Sequence, residues 1–254
     1  MKRLAILAAT VVCGLTAACG GNNPVIDDGK KLSDLKITPT SPATGSATPG
    51  QDPLKEVAEL RKKMAEVWAR NNNLRADVTL YVKNLQSGTV ESAKLDYWFQ
   101  KPNSTALYLK EHSKTAANGT KMVWQGGDKV AIKTKFIGFW VKTSLPESDD
   151  RLKDARGDKI SDTSVPKMMQ CLTDPAAQVA FLGRGKYKNR DIVQFSLKSK
   201  YMIARVDKEH IAVDTGNFLP VVREMYEAGG KLTYRLQLEG IKINVHEPKA
   251  FELD

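Results

Sequence analysis

Cysteine is scarce in this chain, with three in 254 residues. Cys13 and Cys19 stand near the N-terminus, so the body of the sequence holds only Cys171. One thiol forms no internal disulfide, and it excludes a closed zinc site built from several thiolates. Histidine is as rare: His112, His210 and His246 lie far apart in sequence. No His-Glu-x-x-His run and no Gly-x-Ser-x-Gly elbow occurs. Gly183-Arg184-Gly185 is too short for a dinucleotide loop. Cys171, set among apolar residues, reads as a buried inert thiol, and Asp149-Asp150 reads as a solvated pair. The sequence thus offers no catalytic set, no metal set and no cofactor motif, and the expectation is a protein that is not an enzyme. Long apolar runs are missing too, for none reaches the roughly 20 residues that span a bilayer.

What is present begins at the N-terminus. Lys2 and Arg3 lead into an apolar run from Leu4 to Leu15, and Ala17-Ala18 stand directly before Cys19. A basic start, a short apolar stretch and small residues at the cut describe a secretory signal peptide over residues 1–18. Small residues followed by Cys also resemble a bacterial lipobox, in which the thiol is lipidated and becomes the new N-terminus. Thr16, rather than a large aliphatic residue, stands three before the cysteine. Cys19 is accordingly the candidate lipidation site, carrying acyl chains such as palmitate. Residues 19–53, rich in Gly, Pro, Ser, Thr and Asn, read as a disordered tether. At roughly 5–6 Å times the square root of its length, its mean span is about 30 Å.

The net charge is +10, and removing the signal peptide and the nearly neutral tether leaves +9 on residues 54–254. For an exported chain this excess points to anionic headgroups or envelope polymers rather than nucleic acid, or serves solubility alone.

Asp52-Pro53 marks a helix start, and Leu54, Val57, Ala58, Leu60, Met64, Val67 and Trp68 recur at helical spacing as far as Asn71. From Leu74 the period becomes two. Residues 74–83 and 92–99 predict a hairpin, followed by strands at 105–110, 122–124 and 130–132. Phe136 to Val141 reads as one more apolar strand, bent at Gly138. Residues 146–165 read as a long loop. Met168, Met169, Leu172, Val179, Ala180 and Leu182 predict a helical stretch, split in two by Asp174-Pro175. Further strands are expected at 192–197, 211–213, 221–226, 232–238 and 241–245, with a hairpin turn at 227–230. The fold class is α+β, an antiparallel sheet with helices against one face.

The apolar inventory carries the functional argument. Tyr97, Phe99, Tyr108, Trp124, Phe136, Phe139 and Trp140 fall on the predicted strands, and Met168, Met169 and Leu172 on a predicted helix. Any one of them can be simple core, but Met-rich, aromatic surfaces also adapt to irregular apolar ligands, and part of the set is a candidate cavity lining. Arg184, Lys186, Lys188 and Arg190 would share one face of an extended segment. They form either a dock for anionic headgroups or the charged guard of an edge strand.

The order of these elements resembles the LolA/LolB/LppX-like group of bacterial envelope proteins over about residues 54–245. The motifs are Asn118-Gly119 leading to Val123-Trp124, Ile211-Ala212-Val213-Asp214, Leu219-Pro220-Val221-Val222, Leu232-Thr233-Tyr234 and Ile241-Lys242-Ile243-Asn244. The resemblance implies a curved, incomplete barrel lidded by helices over an apolar cavity that takes the acyl chains of lipid or lipoprotein. An anchored chain would not shuttle freely, as LolA does. A lipid carrier or acceptor and an envelope sensor or assembly lipoprotein that binds a protein partner both remain open. Gly20, which is not Asp, leans the placement toward an outer membrane.

Overall fold

The computed structural model describes residues 38–39 and 52–253; the signal peptide, Cys19 and nearly all of the tether lie outside the described residues. In chain order, β1 (Thr38–Pro39) precedes helix α1 (Pro53–Arg70). Six strands follow: β2 (Asn73–Lys83), β3 (Val90–Gln100), β4 (Ser104–His112), β5 (Lys121–Trp124), β6 (Lys129–Phe136) and β7 (Phe139–Pro146). Two short helices, α2 (Ile160–Thr163) and α3 (Val165–Leu172), lead to β8 (Gln178–Tyr187), β9 (Arg190–Lys198), β10 (Lys208–Asp214), β11 (Pro220–Glu227) and β12 (Lys231–Ile243). The described residues divide into two compact units. Residues 73–163 and 240–253 form a meander unit, and residues 38–39, 52–72 and 164–239 form a helix unit.

In the meander unit, β2 to β7 are neighbours in sequence order. Alternation of apolar and polar residues gives each strand a buried and an outer face. Leu74, Ala76 and Val78 of β2 lie opposite Phe99, Tyr97 and Leu95 of β3, all buried. The outer face takes the C-terminal segment: Trp98 Nε1 donates to Glu247 Oε2 at 2.6 Å, and Lys121 Nζ to the Lys249 carbonyl at 3.0 Å.

In the helix unit the strand order is β1-β8-β9-β10-β11-β12. Helix α1 starts where the sequence expects, the Asp52 carboxylate accepting from the Leu54 amide at 3.0 Å. Its buried stripe is narrower than the periodicity suggests: Val57, Leu60 and Met64 are buried, whereas Leu54 and Ala58 are exposed. Arg61 ties α1 to the end of α3, its Nε donating to the Leu172 carbonyl at 2.8 Å and Nη2 to that of Asp174. Glu56 accepts a forked pair of bonds from Arg184 of β8. Among the described residues the strand pairings within each unit are antiparallel, the sheet does not close into a barrel, and helices are few, as the α+β reading expects.

Four segments differ from the expectation, and the first is residues 146–165, read as a long loop, which hold the short helix α2. Phe136 to Val141 is not one bent strand: Ile137-Gly138 is a two-residue turn that joins β6 to β7. Val179, Ala180 and Leu182 lie on β8 rather than on a second helix. Gly183 and Gly185 deny helix propensity there, and Asp174 caps only a turn, accepting from the Ala176 amide at 3.0 Å. The strands expected at 232–238 and 241–245 are one, because Gly240 takes φ +55° within β12 without ending it.

Candidate functional site

The ten lining candidates fall into both units. Tyr97, Phe99, Tyr108, Trp124, Phe136, Phe139 and Trp140 belong to the meander unit, and Met168, Met169 and Leu172 to the helix unit.

Register brings three of the aromatic residues together. Phe99 lies opposite Thr105, Thr105 opposite Trp124, and Trp124 opposite Val130. The next row holds Tyr97, Leu107, Met122 and Ile132. Directly opposed residues share a face, so these two rows make an apolar surface across β3 to β6. Trp124 packs with Val130 and Ile132, flanked by Leu145, Leu152 and Ile160, and its Nε1 donates to the Gly127 carbonyl at 2.7 Å. The Thr105 hydroxyl is fully buried in this surface and, among the described residues, has no hydrogen-bond partner.

The other four aromatic candidates lie elsewhere. Tyr108 is 38% exposed, opposite Asp96 and Lys121 on the outer face, where alternation from Leu107 and Leu109 must put it. Phe136 is half-buried, and Phe139 and Trp140 are exposed, because the turn at Ile137-Gly138 carries all three to the end of a hairpin beyond the core.

In the helix unit, Met168, Met169, Cys171 and Leu172 are fully buried on α3. Burial, helped by the Glu209 charge, pushes the Cys171 thiol up to about 11, so it stays protonated and poorly nucleophilic. Beneath these residues lies a feature the periodicity analysis missed. Glu209 of β10 and Arg223 of β11 form a fully buried forked pair, Nε to Oε2 at 2.8 Å and Nη2 to Oε1 at 2.7 Å. Burial works against the Arg223 charge, but the Glu209 carboxylate outweighs it and holds the guanidinium above its ordinary value. Glu224 of β11 accepts from Arg235 Nε of β12 at 2.8 Å and from the Tyr226 hydroxyl at 2.5 Å. The sequence signal was there, in single charges embedded in the apolar strands around Ile211, Val222 and Leu236.

The basic row resolves into compensated pairs. Arg184 meets Glu56, Lys186 lies 3.6 Å from Asp191, Lys188 meets Glu239, and Arg190 lies 3.8 Å from Asp214. Lys188-Asn189 form a turn, so only Arg184 and Lys186 share a strand face. Among the described residues, β8 pairs with β1 at Gly185 and Lys186.

The histidines remain apart, on β4, on β10 and beyond β12. Burial lowers His112, and burial together with Lys208 lowers His210 to about 4. Among the described residues, no group of three or more His, Cys, Asp or Glu side chains is placed to hold a metal ion. Nor, among those residues, is any helix long and apolar enough to cross a membrane. What the arrangement offers is apolar surface and buried charge pairs.

No protein-family model and no curated protein matches the chain. Among solved structures it is similar to the Mycobacterium tuberculosis lipoprotein LppX, at 14% identity over 78% of this chain and 98% of that one, with a TM-score of 0.46. It is similar to a LolA superfamily protein from Nitrosomonas europaea, at 11% identity, covering 77% and 97%, with a TM-score of 0.33. It is also similar to the Pseudomonas aeruginosa MucA/MucB complex structure, at 10% identity, covering 78% and 61%, with a TM-score of 0.39. The structural neighbours therefore include the group that the sequence motifs resemble.

Proposed function

We propose that this chain is an exported lipoprotein, anchored through Cys19 to an envelope membrane with a lean toward the outer one, that binds acyl chains of lipid or acylated cargo without covalent chemistry. In this reading residues 54–254 act as the binding domain and residues 19–53 as its tether. The observation that carries it is the apolar surface of Tyr97, Phe99, Leu107, Met122, Trp124, Val130 and Ile132 across four strands. Such a surface suits flexible hydrocarbon, and the Thr105 hydroxyl within it is a polar group that a bound headgroup or carboxyl could engage. Met168, Met169 and Leu172 offer the adaptable side chains that irregular acyl ligands favour.

Native mass spectrometry of the purified mature chain should reveal co-purified lipid, and a fluorescent fatty acid should bind and be displaced by it. A chain that carries no lipid and fails to bind the probe would refute the reading. Cys19→Ser should move the protein from the membrane to the soluble fraction after a high-salt wash; retention after that wash would mean that lipidation is not the anchor. The second reading, a sensor or assembly lipoprotein with a protein partner, draws on β7, which among the described residues pairs with β6 alone and exposes most of its residues.

A further inference from the structure

Arg205 and Phe218 also take positive φ, but at the β6–β7 hairpin such strain falls on an exposed aliphatic residue. Its two-residue turn holds Ile137 at φ +43° and Gly138 at φ +86°. Turns of this kind take Asn, Asp or Gly at such angles, and a β-branched residue there is strained. Ile137 occupies the position nonetheless and is 78% exposed, with Phe139 at 74% and Trp140 at 54%. Neither folding nor solubility is served by a strained, solvated isoleucine beside two solvated aromatic rings, and residues that break a local rule without a structural gain point to function.

Charge sets the hairpin apart in the same way. Between Lys129 and Pro146 it carries Lys129, Lys133, Lys135 and Lys142 and no Asp or Glu. Among the described residues none of these four lysines has a carboxylate partner, whereas Arg184, Lys186, Lys188 and Arg190 each have one. Lys133 lies directly opposite Lys142, an arrangement of like charges that disfavours folding. Lys135 lies opposite Trp140, and the Lys133 ammonium is 5.3 Å from the Trp140 ring centroid. Apolar residues thus lead at the tip, with uncompensated cations just behind.

We infer that this hairpin docks onto a bilayer surface containing anionic lipid. Ile137, Phe139 and Trp140 enter the boundary between headgroups and acyl chains, and Lys133, Lys135 and Lys142 meet the anionic headgroups. Apolar and aromatic side chains backed by cations are the composition that interfacial segments use. A protein partner fits the tip less well, since a convex two-residue turn offers far less than the roughly 800 Å² per side of an ordinary interface. The inference takes from the proposed function only the nearness of a membrane; it requires neither the Cys19 anchor nor acyl binding.

The test uses the mature chain from residue 19 onward carrying Cys19→Ser, co-sedimented with vesicles of phosphatidylcholine alone or mixed with phosphatidylglycerol. Binding should need phosphatidylglycerol and fall as salt rises. Ile137→Asn with Phe139→Ser should weaken partitioning about tenfold or more, and Lys133→Glu with Lys142→Glu should do the same at low salt. Ile137→Asn alone relieves the turn, so its melting temperature should hold or rise while vesicle binding falls; misfolding cannot produce that combination. Failure of the parent chain to bind anionic vesicles would overturn the inference. So would binding that survives the tip variants, including a case in which those variants instead lose an envelope protein that co-purifies with the parent. Fatty-acid probe binding, measured in parallel, separates the two readings. Variants that lose vesicles yet keep the probe leave both standing, and a parent that binds vesicles but no probe refutes acyl binding alone.

Discussion

The strands of the two units hold their ion pairs differently. In the helix unit, Glu209–Arg223 and Glu224–Arg235 lie in the interior, and every strand residue from Pro220 to Tyr226 is buried. In the meander unit the pairs between strands, Lys94–Glu111 and Lys110–Asp77, stand in solvent, a buried pair, Arg156–Asp158 at 3.2 Å, lies outside the strands, and the edge hairpin leaves its lysines uncompensated. An exposed pair adds less than about 1 kcal/mol, whereas a buried pair fixes which strands can neighbour one another, because a wrong register strands a charge in the core. The difference teaches where each unit is constrained: the helix unit in its interior, the meander unit on two apolar rows with a surface left free for contact.

Removing one member of a buried pair should therefore break the helix unit more severely than any exposed charge change in the meander unit. Arg223→Ala leaves the Glu209 carboxylate buried without its partner and should cost about 3–5 kcal/mol in urea unfolding. The double replacement Glu209→Leu with Arg223→Met should recover most of that loss, since apolar residues of similar volume can replace such a pair. Lys94→Ala should cost under about 1 kcal/mol. If Arg223→Ala cost no more than Lys94→Ala, the contrast between the units would be false.

Binding sharpens the comparison next. In a tightly packed core, Phe99→Ala costs about 3–5 kcal/mol. If the meander unit's apolar surface receives an acyl chain, the lipid-free protein already tolerates space beside Phe99. The variant should then lose clearly less than that and shift the affinity for the fatty-acid probe. Leu172→Trp asks the same of the helix unit. In a sealed core the larger ring costs about 1–3 kcal/mol, and in a ligand space it is tolerated but blocks the probe. A strongly destabilised Leu172→Trp, or a stable one that binds normally, would remove α3 from the site, and the Phe99 result would then stand alone.

The regular parts of both units were legible in the sequence. Asp52-Pro53 announces α1 through backbone capping, and the period-two runs at 74–82 and 93–99 announce β2 and β3 through burial of one face. What escaped was set by partners distant in sequence. Residues 178–182 carry a helix-like pattern, yet pairing with β9 and two nearby glycines make them β8. The turn at Ile137-Gly138 gave only its glycine as a signal, because an isoleucine holds the place where Asn would have announced it. With an isoleucine there the run from Phe136 reads as one apolar strand, which sets Phe139 and Trp140 inside and conceals their exposure at a hairpin end. Glu209, Arg223, Glu224 and Arg235 read as ordinary strand charges, and only register shows that they neutralise one another.

The smallest effect expected is in the response to pH, where one partly buried group in each unit opposes the other in sign. In the meander unit, burial raises the Asp154 carboxyl to about 6, with the Asp158 charge adding to it, while its Oδ1 accepts from the Arg156 and Asp158 amides at 2.8 and 3.0 Å. Its folded value lies above the unfolded 3.8, so its contribution to stability is full below that pH and is lost as pH rises through about 6. In the helix unit, His210 falls to about 4 from 6.5, so its contribution is full above 6.5 and is lost as pH falls through about 4. The two slopes oppose each other across the interval between these values. Asp154→Asn keeps an acceptor oxygen for both amides and removes the titration. It should raise stability near neutral pH by about 1 kcal/mol, a figure reduced for partial exposure, and leave the His210 slope uncovered. Urea midpoints measured from pH 4.5 to 7 should then fall more steeply on acidification in the variant than in the parent. Parallel profiles for the two proteins would mean that Asp154 titrates at an ordinary value.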